Sequence, residues 1–182
     1  MFNRLWIVFP MLLTWVIGFY RYDVMLTSQG FEPLGNDIKD TVKLRLGLCF
    51  MLFFQLVLLA MVTSTQVLKY TIRRERPQKK PEAPRLSNLR DHEIGTYSMP
   101  SGDTSAAAVF CFLLAFIMKM PQCYVVLPLV AMGRVFYQCH WFGDTIVGSI
   151  VGTLWGLIGC SQFLLMAPLM QVIAGEGTFT PQ

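Results

Sequence analysis

Apolar residues in this chain do not alternate with polar ones; they come in long runs. Five runs stand out, at 5–20, 46–68, 104–118, 124–139 and 145–173. Runs of this length with few charges read as helices sized for a bilayer rather than as strands. The second run carries no charge and is long enough to cross about 30 Å of hydrocarbon. The first and third are short, so tilting or partial immersion is expected of them. The fourth is interrupted by Gly133-Arg134. The pattern therefore predicts an all-α fold, a polytopic transmembrane bundle of about five membrane helices. Residues 1–45 would form an N-terminal membrane helix and polar connector, 46–173 a helical core, and 174–182 a tail.

The polar stretches between the runs set the expected layout. Residues 21–45 contain Gly30, Pro33 and Gly35 and read as a loop, with a short surface helix near 37–44. Residues 69–103 form a long basic loop whose Pro77, Pro81 and Pro84 keep its middle from being helical. Five spans place the chain ends on opposite sides. They also put 69–103, 140–144 and Met1 at one membrane face. That face is much the richer in Lys and Arg, which by the positive-inside rule makes it cytoplasmic or matrix-facing. The first run could pass for a signal peptide. No small-x-small cleavage pattern follows it, and Arg21 and Tyr22 flank it as anchors would, so it reads as a retained helix. In the fifth run Gly148, Gly152 and Gly156 recur every four residues, a face that lets a neighbouring helix approach closely.

Composition narrows the class. Of the 182 residues 54% are hydrophobic. The mean hydropathy is +0.49, too apolar for an ordinary soluble domain. The formal charge is +4, and eight of the fifteen Lys and Arg lie between Lys69 and Arg90. That loop lacks the aromatic platform that single-stranded nucleic acid needs, so no nucleic-acid partner is expected. Ionisable residues gather at one face and none lies mid-membrane in the second, third or fifth run, which argues against a channel or transporter. Five cysteines without C-x-x-C spacing give neither a disulfide framework nor a zinc site. Four read as small apolar residues of membrane helices; Cys139 adjoins a histidine, but the usual burial of free thiols argues against a nucleophilic role for it.

Three polar clusters carry the candidate chemistry. Lys69 and Arg76 are seven residues apart. They share a face if the second helix continues beyond the bilayer, with Pro77 helping to stop it. Two such cations can close on an anion, but on this cluster alone the plainer reading is a basic membrane-flanking patch that holds lipid headgroups. Pro100-Ser101-Gly102-Asp103 opens the third helix, where free N–H groups attract anions. The plainer reading is helix capping by Ser101 or Asp103. Arg134, His140 and Asp144 lie among apolar helices, where charged groups are costly and usually functional. His140 and Asp144 are four apart and share a face if that stretch is helical. An aspartate beside an imidazole suits a histidine nucleophile or base.

Together the clusters resemble the type 2 phosphatidic acid phosphatase superfamily, which also holds glucose-6-phosphatase and the vanadium haloperoxidases. Its pattern is K-x6-R-P, then P-S-G-H, then S-R-x5-H-x3-D. Lys69 to Pro77 fits the first motif. Pro100 to Gly102 fits the second except for its last residue. Arg134, His140 and Asp144 fit the third, with Gly133 in place of serine. The likeness runs over about residues 46–159. It implies a lipid phosphate phosphatase with no cofactor and no metal. Lys69, Arg76, Arg134, Ser101 and the Gly102 backbone would bind phosphate. His140 would attack phosphorus to form a phosphohistidine, and Asp144 would orient it. Family members usually have six spans, and this chain shows one fewer before Leu46.

The departure that matters most is Asp103, which stands where the family has a histidine that protonates the leaving oxygen. A carboxylate does that only while protonated; ionised, it repels the phosphate it faces. His92, in the same loop, is a candidate substitute acid, although Asp91-His92-Glu93 reads more simply as a solvated loop turn. Two readings follow. One is a membrane phosphatase or phosphotransferase acting on lipid phosphate monoesters or diphosphates, slow at neutral pH and faster in mild acid. The other is a catalytically inactive relative with a structural or lipid-binding role in a larger membrane complex. Membrane lipids are expected partners under both, with helix-packing proteins or a second copy as further ones. A direct Asp103–arginine salt bridge would favour the inactive reading.

Overall fold

The computed structural model describes residues 5–30, 40–78 and 97–174. Among them the secondary structure is helical, with one isolated antiparallel bridge, Glu75 to Tyr97, and no strand. The helices are α1 (Leu5–Tyr20), α2 (Tyr22–Ser28), α3 (Asp40–Ile72) and α4 (Gly102–Ile117). A 3₁₀ turn (Pro121–Val125) then leads into α5 (Val126–Phe136), followed by α6 (Phe142–Leu165) and α7 (Ala167–Ala174). Two of them, α3 and α6, are long and apolar enough to cross a membrane by length and composition. The helices of the first and third runs have 16 residues each, which at about 1.5 Å per residue falls short of a full bilayer.

Local chemistry explains where the helices begin and end, and it departs from the expected layout in several places. The stretch 21–45 is not simply a loop. Residues 22–28 form α2, and from Asp40 the chain is already helical and continuous with the second run. Between residues 40 and 46 there is no glycine or proline to separate a surface helix from the span. Residues 31–39 lie outside the described residues. Helix α3 does not continue to Pro77. It ends at Ile72 because Arg73 turns into the left-handed region at φ 55. The fifth run breaks at Met166, and Pro168 falls in the first turn of α7, where its missing N–H leaves no helical bond unmade.

Helices α4 and α6 form the tightest interface, and glycines set its spacing. A Cβ on Gly148 would lie 2.6 Å from the Ser101 carbonyl oxygen, and one on Gly156 2.7 Å from Cβ of Phe112. One on Gly152 would overlap the Ser105 carbonyl oxygen. The four-residue glycine spacing thus does what its periodicity suggests. A second pair the sequence did not flag, Gly18 and Gly47, brings α1 against α3; a Cβ on Gly18 would be 3.0 Å from the Gly47 Cα. The core between α3, α4 and α6 is aromatic and aliphatic, with Phe50, Phe54, Leu113, Leu114 and Phe163 buried. The rings of Phe50 and Phe163 meet edge to face at 6.1 Å.

This packing runs α3 and α5 towards one end of the bundle and starts α4 and α6 from that same end. The C-terminus of α3 with Lys69, the N-terminus of α4 with Ser101, the C-terminus of α5 with Arg134 and the N-terminus of α6 with Asp144 are thereby gathered together.

Candidate active site

Three short non-helical segments knit the polar end. After Arg73 the chain runs extended, so Arg74 and Arg76 project to the same side while Glu75 faces Tyr97. Arg76 Nη1 donates to the Cys139 carbonyl at 2.9 Å. Trp141 Nε1 donates to the Glu75 carbonyl at 3.0 Å. The Ser98 amide donates to the Arg74 carbonyl at 2.7 Å, and its hydroxyl lies 3.0 Å from the Glu75 carbonyl. Lys69 and Arg76 therefore reach the site by different routes, one from the helix and one from the extended tail. The expectation of a shared helical face is corrected accordingly.

Helix α5 ends at Phe136, and Gln138 adopts φ 55, which swings the chain around the helix end. The amides of Cys139 and His140 both point back at the Arg134 carbonyl, at 3.0 and 3.3 Å. His140 is thus fixed in a bend before α6, not on a helix with Asp144. The two still meet because Asp144 sits in the first turn of α6 and caps it, its Oδ2 accepting the Trp141 amide at 2.8 Å.

His140 is buried. Its Nδ1 lies 2.7 Å from the Ser98 carbonyl oxygen and 3.8 Å from Asp144 Oδ2. A carbonyl can only accept, so Nδ1 carries the proton and Nε2 keeps its lone pair. The Asp144 distance is beyond hydrogen-bond reach. The expected direct orientation of His140 by Asp144 is replaced by a bond to main chain. Burial first, then the Arg134 guanidinium, push the imidazole from its ordinary 6.5 down to about 3; the Ser98 bond opposes this and the Lys69 charge adds to it. At neutral pH the ring is uncharged, the form a nucleophile needs.

Asp144 has no exposed side-chain surface, and its Oδ1 pairs with Arg74 Nη1 at 3.0 Å. The Arg74 guanidinium also lies 5.7 Å from the centre of the Trp141 ring. Asp103 pairs with Arg134 Nε at 3.1 Å. Lys69 is close enough to interact electrostatically with Asp103, Arg134 and Asp144. Ser101 is fully buried. Its hydroxyl pairs with that of Thr104 at 2.9 Å, and its amide donates to the Asp144 carbonyl at 3.0 Å. Its expected phosphate-facing groups are thus already engaged within the protein. Gly102 opens α4, and a Cβ there would meet nothing within 4 Å. His92 lies outside the described residues.

The ordered motifs therefore converge on one imidazole. A family model described as the PAP2 superfamily matches residues 46–165. The chain belongs to the PAP2 superfamily. The PAP2 superfamily includes phosphatases and its members are mostly membrane-associated, in keeping with a hydrolase and with two apolar helices of spanning length. No curated protein and no solved structure matches this PAP2 chain.

Within or beside the PAP2 motifs, three residues that sequence reasoning passed over matter to the site: Arg74, Ser98 and Trp141. Arg74 was hidden by helical counting. Once the chain is extended beyond Arg73, the two-residue spacing of Arg74 and Arg76 is the relevant one. Ser98 acts through its carbonyl, so side-chain chemistry gave no signal. Trp141 stands next to His140 and could have been noticed as the N-cap position of α6.

Proposed function

We propose that the chain is an integral, multi-pass membrane phosphatase or phosphotransferase that acts on lipid phosphates through a phosphohistidine at His140. The observation that carries this reading is the neutral, Nδ1-protonated imidazole of His140 lying within the electrostatic reach of Lys69 and Arg134. Arg76 is bonded to the carbonyl that immediately precedes it. Nε2 attacks phosphorus, the bond to the leaving oxygen breaks, and that oxygen takes a proton. Water then cleaves the phosphorus–nitrogen bond. Lys69, Arg76 and Arg134 offset the charge on the equatorial oxygens during transfer. The Gly102 amide at the start of α4 adds a donor, and Ser101 positions that turn. Asp103 can supply the proton only when its pair with Arg134 opens and it is itself protonated. The five apolar runs cross or enter the bilayer, with this site at the lipid–water boundary of the basic face.

A second reading, an inactive relative serving as a structural or lipid-binding subunit, is favoured by the Asp103–Arg134 pair itself. At 3.1 Å the carboxylate takes a cation that phosphate would use. Phosphate release from phosphatidic acid in mixed micelles, measured from pH 5 to pH 8 for the wild type and His140→Ala, decides between them. The enzyme reading expects release above the variant by at least about a hundredfold, as for loss of a nucleophile. Equal release by the two proteins ends that reading in favour of the second.

A further inference from the structure

The family pattern leads one to look to Asp144 for orientation of the histidine, yet the distances place Asp144 elsewhere. Its Oδ1 is taken by Arg74 at 3.0 Å and its Oδ2 by the Trp141 amide at 2.8 Å. The carboxylate is thus held from two sides, and its nearer oxygen stays 3.8 Å from His140 Nδ1. Meanwhile the Ser98 carbonyl sits 2.7 Å from that same nitrogen. Ser98 is itself tied to the segment that bears Arg74, through its amide on the Arg74 carbonyl. The two bridged segments therefore present the acceptor to the ring and the cation to the carboxylate side by side.

We infer that Arg74 is a positioning residue: it holds the Asp144 carboxylate off the His140 ring and leaves the Ser98 carbonyl to fix the ring's tautomer. The catalytic consequence rests on the phosphohistidine reading, but the arrangement of the ring does not. A carboxylate free to reach Nδ1 would stabilise the imidazolium and make the ring more basic. Arg74 neutralises that carboxylate and so keeps His140 an uncharged, Nε2-reactive imidazole through mild acid. The charged groups around the ring are Lys69 from α3, Arg74 and Arg76 from its extended tail, Asp103 from α4, Arg134 from α5 and Asp144 from α6. Of these, Arg74 is the one whose removal leaves an unneutralised carboxylate 3.8 Å from Nδ1.

The chain has two histidines, His140 and His92, which makes the ring directly observable. Imidazole nitrogens of the ¹⁵N-histidine-labelled protein in detergent would be followed by NMR against pH, with the His92→Gln protein assigning the signal. Wild-type His140 is expected to show protonated Nδ1 and bare Nε2. Arg74→Gln is expected to raise its titration midpoint by about one unit or more, and Asp144→Asn added to Arg74→Gln to cancel that rise. Arg74→Gln keeps a hydrogen-bond donor beside the buried Asp144 carboxylate, and Arg74→Met provides an independent second substitution with the same expectation. A wild-type ring protonated on Nε2, or a midpoint unmoved in both Arg74 variants, overturns the inference. An inactive wild type with the expected tautomer and shift would sink the phosphatase reading and leave this one standing.

Discussion

Two helices begin at the polar end, and their first turns are built alike yet behave differently. Helix α6 opens with Asp144 and α4 with Asp103, each paired to an arginine at 3.0 and 3.1 Å. Both carboxylates suit the positive end of a helix dipole. Asp144, however, has no exposed side-chain surface, whereas 57% of the Asp103 side chain is exposed. Asp144 also caps its own helix and is seated by the Trp141 amide. At α4 the inward position is filled instead by the Ser101–Thr104 hydroxyl pair, and Asp103 is turned outward towards Arg134. The contrast separates scaffold from site. A buried, doubly bonded carboxylate organises the end of the bundle. A solvent-facing one can be displaced by an incoming anion.

Removing the two carboxylates one at a time puts the largest strain on this comparison. Asp144→Ala deletes the cap and leaves Arg74 without its partner, at a cost of about 3 kcal/mol, the low end for breaking a buried pair because Arg74 is half exposed. Asp103→Ala removes a pair in which the carboxylate is exposed and only the arginine is mostly buried, and should cost less, about 1 kcal/mol. Thermal unfolding of both variants in the same detergent measures the difference. Equal losses would mean that the two termini are not distinguished by burial.

A smaller effect separates the same two termini sterically. A Cβ on Gly148 meets the Ser101 carbonyl at 2.6 Å, so Gly148→Ala should push the start of α4 away from α6 and cost about 1–3 kcal/mol. Gly102→Ala places its methyl where nothing lies within 4 Å, and should change stability by less than about 0.5 kcal/mol. Unfolding midpoints for the pair test whether α6 is packed from within while α4 is open on its outer side. If Gly102→Ala proved the costlier change, the assignment of open and closed sides would be reversed.

What could be read from the chain in advance follows the same division. The apolar runs and the glycine face were legible because helix formation and close helix packing depend on neighbours three or four residues away. Lys69, Arg76, Arg134, His140 and Asp144 were legible as an ordered set of motifs. Their contacts were not. The left-handed turn at Arg73 changes the register of the arginines, and the bridge from Glu75 to Tyr97 brings Ser98 beneath His140 from far along the chain. The spacing of His140 and Asp144 gave the right neighbours for a different reason, a capped helix start instead of a shared helical face. The outward turn of Asp103 towards Arg134 depends on where α5 ends relative to α4, which no local pattern encodes.

The last expected effect concerns the ring that lies between the two termini, and it vanishes above pH 6.5. Burial, Arg134 and Lys69 hold folded His140 near 3, against 6.5 in the unfolded chain, with the Ser98 bond acting in the other direction. Above pH 6.5 both states carry a neutral ring, and the fold keeps its full stability from this group. As pH falls from 6.5 towards 3 the unfolded chain takes up a proton that the folded one refuses, so stability drains away across that window. The rate is at most about 1.4 kcal/mol per pH unit for one proton. Unfolding midpoints of the wild type and His140→Asn at pH 7.5, 6 and 5 isolate this slope, because His92 and the carboxylates are common to both proteins. The wild type should lose more stability than the variant on acidification. Parallel slopes would mean that the ring accepts a proton in the folded state, which requires a carboxylate at Nδ1. Asp144 would then be the mobile aspartate, and the distinction between a fixed α6 terminus and an exchangeable α4 terminus would fail.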